Sequence, residues 1–101
     1  MKNVKVGDIL AGSWGYSMTL WSFCEVEKVT AKQVVLRELQ NEHLGGEQWN
    51  ELVRPILGST DRRGSFRIKN DIDKDYIWDP QYRCLLYPFE KNREYRENHM
   101  D

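Results

Sequence analysis

The chain has 101 residues, a length that suits one hydrophobic core, with 40% hydrophobic and 31% charged residues, a composition of a folded globule rather than a disordered segment. Fifteen Lys and Arg against sixteen Asp and Glu leave a net charge of −1, which excludes the broad cationic field of a generic nucleic-acid or membrane-surface binder. No apolar run approaches the roughly 20 residues of a membrane-spanning helix, and no apolar stretch of secretory-signal length follows Lys2 and Lys5, so a cytoplasmic protein without membrane association is expected.

Taken in chain order, a first strand is expected over 8–11, starting after Gly7 and Asp8. Gly12 and Gly15 then bracket Trp14 in a segment that turns or bulges. Residues 21–29 and 33–39 carry β-branched and aromatic residues and are separated by Thr30, Ala31 and Lys32, which reads as a β-hairpin. In its second arm Val35, Arg37 and Leu39 oppose Val34, Leu36 and Glu38, so the inward set is left open by the pattern. Phe23 and Val26 are expected in the core. Residues 40–51 lose alternation and contain Gly45 and Gly46, so a long loop or a single helical turn is expected there. A short strand at 53–57 carries Pro55, which lacks a ladder donor and so belongs at a sheet edge or a strand start. The segment 58–64 reads as a hairpin tip, and 64–69 as a strand with Phe66 and Ile68 opposite Arg67 and Lys69. A last strand is expected at 83–88.

Five or six short strands without a long amphipathic helix predict a mostly β fold, a small SH3-like, partly closed barrel over 1–89, followed by a polar charged tail over 90–101. An OB-fold is the competing barrel, favoured if 40–51 were helical.

The chemistry-bearing residues form few patterns. Cys24 and Cys84 lie in apolar strand-like stretches and are expected as reduced, buried hydrophobes. His43 and His99 sit in polar surroundings without a nucleophile motif. Asp71, Asp73 and Asp75 open like a calcium loop, but Tyr76 and Tyr82 stand where Gly and a bidentate Glu are required, so a solvated acidic turn is expected. No metal site, cofactor or catalytic arrangement is expected, and the chain is read as a non-enzyme.

Charge is laid out unevenly. Residues 61–69 hold Arg62, Arg63, Arg67 and Lys69 against Asp61, an excess of three positive charges, whereas 70–79 hold four aspartates against Lys74. The arginine-bearing hairpin can contact phosphates or an acidic partner, while the plainer reading is that the two segments neutralise each other. Trp14, Tyr16, Trp21 and Phe23 fall within ten residues, either as core rings or as an exposed patch that grips an extended peptide.

The run GDILAGSWGYSMTLWSFCEVEKVTAKQVVLREL, residues 7–39, resembles a group of small bacterial and phage proteins of unassigned function. Their N-terminal half reads GDI, SSWGYDQTN, a DFYQV-type strand and a TVTLREI-type strand. The shared residues include Gly7, Asp8, Ile9, Trp14, Tyr16, Thr19 and Phe23, with Leu36-Arg37-Glu38 closing the hairpin. Where the group has Asp-Gln-Thr-Asn, this chain has Ser17-Met18-Thr19-Leu20. The resemblance implies an SH3-like barrel and carriage on a phage or mobile element, and it supplies no substrate.

The expected function is a non-enzymatic protein-binding module, with Trp14, Tyr16, Thr19, Arg62, Arg63 and Arg67 as candidate contact residues and a protein as partner. The alternative is a nucleic-acid-binding accessory protein using the arginine-rich hairpin. Trp14 itself is expected to tuck inward, because a small barrel has few large rings with which to close its end.

Overall fold

The computed structural model describes residues 1–15, 18–47 and 50–98. The candidate contact residue Tyr16 lies outside the described residues. Among those residues the chain is all β, with nine strands and no helix. The strands are β1 (Ile9–Trp14), β2 (Leu20–Val29), β3 (Gln33–Glu38), β4 (Asn41–Glu47), β5 (Asn50–Pro55), β6 (Ser65–Lys69), β7 (Ile77–Asp79), β8 (Cys84–Pro88) and β9 (Tyr95–Glu97). Six of them form an antiparallel sheet in the order β6-β3-β2-β1-β8-β7 that curls into a nearly closed barrel, and β4-β5-β9 form a second sheet. The barrel's two edge strands, β6 and β7, approach each other without a hydrogen-bonded ladder.

β2 organises both layers. Around Phe23 its residues alternate between two apolar surroundings, not between core and water. Cys24 and Val26 point into the barrel with Leu10, Leu36, Ile68, Ile77 and Leu86, and Met1 joins them. Phe23 points the other way, onto Ala11, Leu39, Val53 and Tyr95, with Trp21 and Phe89 packed alongside. Phe23 and Val26 are both fully buried. Glu25 and Glu27 face outward and meet Arg37 at 3.3 and 3.2 Å, and a register shift between Val26 and Lys28 then interrupts the alternation so that Val29 packs against the barrel core. Gly12 on β1 lies so close to β8 that a Cβ there would stand 2.9 Å from the Leu85 carbonyl oxygen, a distance only glycine permits.

β3 resolves the facing that pattern left open: Val34, Leu36 and Glu38 point into the barrel, and Val35 and Arg37 point outward. A carboxylate therefore occupies an inward position. Cys24 and Cys84 are free thiols, both buried.

Three expectations are corrected. The described residues of 40–51 are neither a loop nor a helical turn, since β4 and the first two residues of β5 lie there. Their alternation is hidden by an irregularity between His43 and Gly46, where Gly46 sits at φ 129° with its Cβ position 2.5 Å from the Asn50 carbonyl oxygen. The strand expected at 53–57 is β5, and it is the central strand of its sheet; Pro55 is tolerated because β9 pairs only with Glu51, Leu52 and Val53, leaving no partner on that side at Pro55. Residues 90–101 are not a solvated tail throughout, because Tyr95–Glu97 form β9 and Tyr95 is 1% exposed. One ring in a polar run suffices when it is clamped by others: Tyr95 stands 4.7 Å from Trp21, 5.3 Å from Phe23 and 5.2 Å from Phe89, centroid to centroid. Its hydroxyl accepts a 2.9 Å hydrogen bond from the Glu90 amide.

Phe23→Ala is expected to lower unfolding free energy by about 3–5 kcal/mol through lost burial and an unfilled cavity, read from urea titration. Tyr95→Ala is expected to cost a similar amount, and a change under about 1 kcal/mol for Tyr95 would show that the second sheet is not held by this cluster.

Candidate functional site

The candidate residues separate when placed on the fold. Arg62 is exposed in the turn before β6, where its amide donates to Asp61 Oδ1 at 2.9 Å. Arg67 is exposed on β6 opposite Val35, beside Lys28 and Gln33. Thr19 is exposed and bridges Asn98 through paired backbone hydrogen bonds of 3.0 and 2.8 Å. These three do not converge on one place.

Arg63 and Trp14 do meet, through Tyr82, and inside the molecule. Arg63 precedes β6 and reaches across the unpaired seam to Asp79 at the end of β7, donating through Nη1 at 2.6 Å and Nη2 at 2.8 Å. The Arg63 side chain is 10% exposed and that of Asp79 is 0% exposed. Its guanidinium carbon lies 3.5 Å from the Phe66 ring centroid and 5.0 Å from that of Tyr82. Trp14 stacks on Tyr82 at 4.5 Å and 7°. Arg63 is therefore a structural clasp rather than a hairpin-tip contact, and Trp14 is tucked against the barrel core as expected. The ring neighbourhood explains the inward turn: a guanidinium is weakly hydrated, stacks on aromatic faces and matches a carboxylate in two-point geometry. Burial works against the charge on Arg63, but the Asp79 hydrogen bonds and charge outweigh it and raise its pKa. The two charged segments neutralise each other at this one pair; no other ion pair joins 61–69 to 70–79 among the described residues.

Glu38 completes the cluster. It accepts from the Tyr82 hydroxyl at 3.1 Å and from Ser22 Oγ at 3.3 Å. Burial pushes its carboxyl above the usual glutamate range. Burial also pushes the Cys24 and Cys84 thiols up to about 12, so neither offers a thiolate at neutral pH. Tyr82 is likewise raised to about 12, by burial and by its bond to Glu38. The cluster is thus chemically quiet and braces strands. Among the described residues no group of three or more His, Cys, Asp or Glu side chains is placed to hold a metal ion.

The accessible chemistry lies on the opposite face of the β7–β8 ribbon. Register pairs Ile77 with Leu86, Trp78 with Leu85 and Asp79 with Cys84. Ile77, Asp79, Cys84 and Leu86 face inward and are buried. Trp78 and Tyr87 face outward, 49% and 46% exposed, with Leu85 half-buried between them and Tyr76 6.0 Å from Tyr87. This ribbon forms one wall of an open cleft of about 390 Å³ against the second sheet, lined by Ser13, Trp21, Trp78, Arg83, Tyr87 and Arg93 among others. Arg93 lies over Trp21 and Tyr95, 5.4 and 5.1 Å from their centroids. Trp78 also borders a second hollow of about 270 Å³ at the seam, beside Ile68, Lys69 and Pro80. Sequence reasoning missed Trp78 and Tyr87. The available signal was the two-residue alternation of Tyr76 and Trp78 against Ile77 and Asp79, mirrored by Leu85 and Tyr87 against Cys84 and Leu86.

The chain matches no family model, no curated protein and no solved structure.

Asp79→Ala is expected to destabilise the fold by about 3–5 kcal/mol, because it leaves a buried guanidinium unpaired, whereas a double apolar replacement of Arg63 and Asp79 is expected to cost less than the sum of the single changes. Additive losses in urea titration would show that the pair is not coupled. Glu38 supplies a pH test. Its raised pKa means that the folded state holds this proton more tightly than the unfolded chain. The resulting stabilisation is full below the ordinary value of 4.5 and is lost as pH rises through the raised one. Glu38→Gln is expected to flatten that decline in a pH series of urea titrations, and an unchanged slope would contradict it.

Proposed function

We propose that this protein is a non-enzymatic protein-binding module whose contact surface is the outward face of β7 and β8 together with the cleft beside it. The observation that carries this reading is the pair Trp78 and Tyr87, two large rings left about half exposed on one ribbon face. Exposed rings grouped on the wall of a cleft are costly to leave in water and are the usual anchors of protein contacts. Their inward neighbours lock the ribbon, so the rings are presented on a fixed backbone and little ordering cost remains for binding. The quiet interior supports a non-enzymatic reading, since its thiols hold their protons and its carboxylates are engaged. The alternative, a nucleic-acid accessory protein using the arginine hairpin, loses Arg63 to the clasp and keeps Arg62, Arg67 and Lys69 at its surface.

The test compares the wild-type protein with a Trp78→Ala/Tyr87→Ala variant as immobilised bait in lysate of its source cell, with and without nuclease treatment. The variant is expected to keep its stability within about 0.5–1 kcal/mol while capture of a specific protein falls at least tenfold, the loss of about 2 kcal/mol that removal of interface anchors brings. Equal capture by both baits would overturn the assignment of this face, and retention that vanishes on nuclease treatment would favour the nucleic-acid reading.

A further inference from the structure

We propose that the cleft between the β7–β8 ribbon and the second sheet takes a short extended segment of acidic character, with its carboxylates on Arg83 and Arg93 and an apolar or aromatic side chain between them against Trp78 and Trp21. This rests on the binding-module reading above and names the chemistry of its ligand.

The cleft is cationic in a chain that is not. Its lining includes two arginines and no Asp or Glu, although acidic residues slightly outnumber basic ones over the whole sequence. Arg83 has no ion-pair partner within 4.0 Å among the described residues. Among the described residues Arg93 has only Glu90, at 3.7 Å between two exposed side chains, an ion pair weak enough for an incoming carboxylate to displace. The rings of Trp21 and Tyr95 under Arg93 hold its guanidinium in place, which lowers the entropic cost of a carboxylate contact.

Arg83 carries a second, independent mark. It sits at φ 53° in the connection from β7 to β8, a left-handed position where glycine or asparagine is the unstrained choice and an arginine costs on the order of 1 kcal/mol. The hairpin would turn more easily with glycine there, and the arginine that stands in its place lines the cleft wall.

The balance of charge favours an acidic peptide over a nucleic acid. Tracking a phosphate backbone takes a train of cations, because affinity grows with each phosphate neutralised. The cleft offers two cations, too few to follow a phosphate backbone. A short segment bearing two or three carboxylates needs no more than these two. The volume of about 390 Å³ is at the small end of ligand-sized clefts and suits a few side chains rather than a folded domain.

The experiment uses the full chain on an array of random hexapeptides, with oligothymidylate as a parallel probe, and repeats it with Arg83→Gly and Arg93→Ala. Arg83→Gly keeps the turn and relieves its strained φ, so its melting temperature is expected to stay level or rise, which separates lost binding from lost folding. Wild-type protein is expected to enrich peptides with Asp or Glu flanking an aromatic or aliphatic residue, and the best of them to bind Arg83→Gly at least tenfold more weakly. Enriched peptides that bind equally well as their Asn and Gln analogues would overturn the acidic ligand and leave the binding module standing. An array without enriched peptides would overturn the peptide ligand and leave the binding module to the bait comparison, and oligothymidylate binding tighter than any peptide would replace both with a single-strand-binding surface.

Discussion

The barrel depends on a contact that no hydrogen-bond ladder provides. β6 and β7 are the edges of the six-stranded sheet, and they close on each other through the two-point bond of Arg63 to Asp79. Taking both charges out of water is costly, and the pair holds only because its geometry is good and its surroundings are rings and hydrogen bonds. Phe66 and Tyr82 flank the guanidinium, Trp14 stacks on Tyr82, and the Tyr82 hydroxyl reaches Glu38. β1, β3, β6, β7 and the β7–β8 connection each contribute to this one cluster. A fully apolar seam would close the barrel as well, but it would not set the register of two unpaired edges, whereas a two-point ion pair does so at one position.

β2 imposes the second constraint. An antiparallel strand that covers water on one side alternates apolar with polar, and β2 instead alternates apolar with apolar because the second sheet lies against its outer face. The outer cluster is aromatic, with Trp21, Phe23, Phe89 and Tyr95 drawn from three separated parts of the chain. Rings suit this place because a three-stranded sheet offers little area, and each ring buries more of it than an aliphatic side chain does. The same cluster seats Arg93, so the layer that completes the core also builds one flank of the cleft.

Most barrel strands were legible in the sequence because Ile9, Phe23, Val34 and Ile68 recur within strand-like runs bounded by Gly, Pro or charged turns. The missed elements share a physical reason, namely that each is stabilised from elsewhere. β4 carries Gly45 and Gly46 in an irregular register against β5 and almost no apolar alternation of its own. β7 is three residues long, so its alternation carries weight only when set against that of its partner β8. β9 has one apolar residue, Tyr95, whose burial depends on Trp21, Phe23 and Phe89 being assembled around it. The candidate site was legible in part. Arg63 stood with Arg62 and Arg67 as one of three candidate arginines, but whether a guanidinium faces solvent or a buried aspartate sixteen residues away is decided by the fold. Trp78 and Tyr87 stood in plain view and lacked only the knowledge that Ile77, Asp79, Cys84 and Leu86 take the inward side.

The clasp and the cleft are two faces of one short strand, and this couples the stability of the seam to the shape of the cleft. β7 contributes Ile77 and Asp79 inward and Trp78 outward, so the anchor that holds the strand and the ring that it displays are adjacent residues. An edge strand of three residues with a ladder on one side only is held weakly by its backbone. Its position is set by Asp79 on Arg63, and the orientation of Trp78 follows from it. Loosening the clasp would therefore degrade the cleft before it unfolded the barrel. The coupling also runs the other way: a ligand that binds only the assembled cleft stabilises the seam by mass action, as RT ln(1 + [L]/Kd), in proportion to how tightly it binds. Occupancy of the outer face and closure of the inner seam are thus linked through the backbone of Trp78, with no contact between ligand and clasp required.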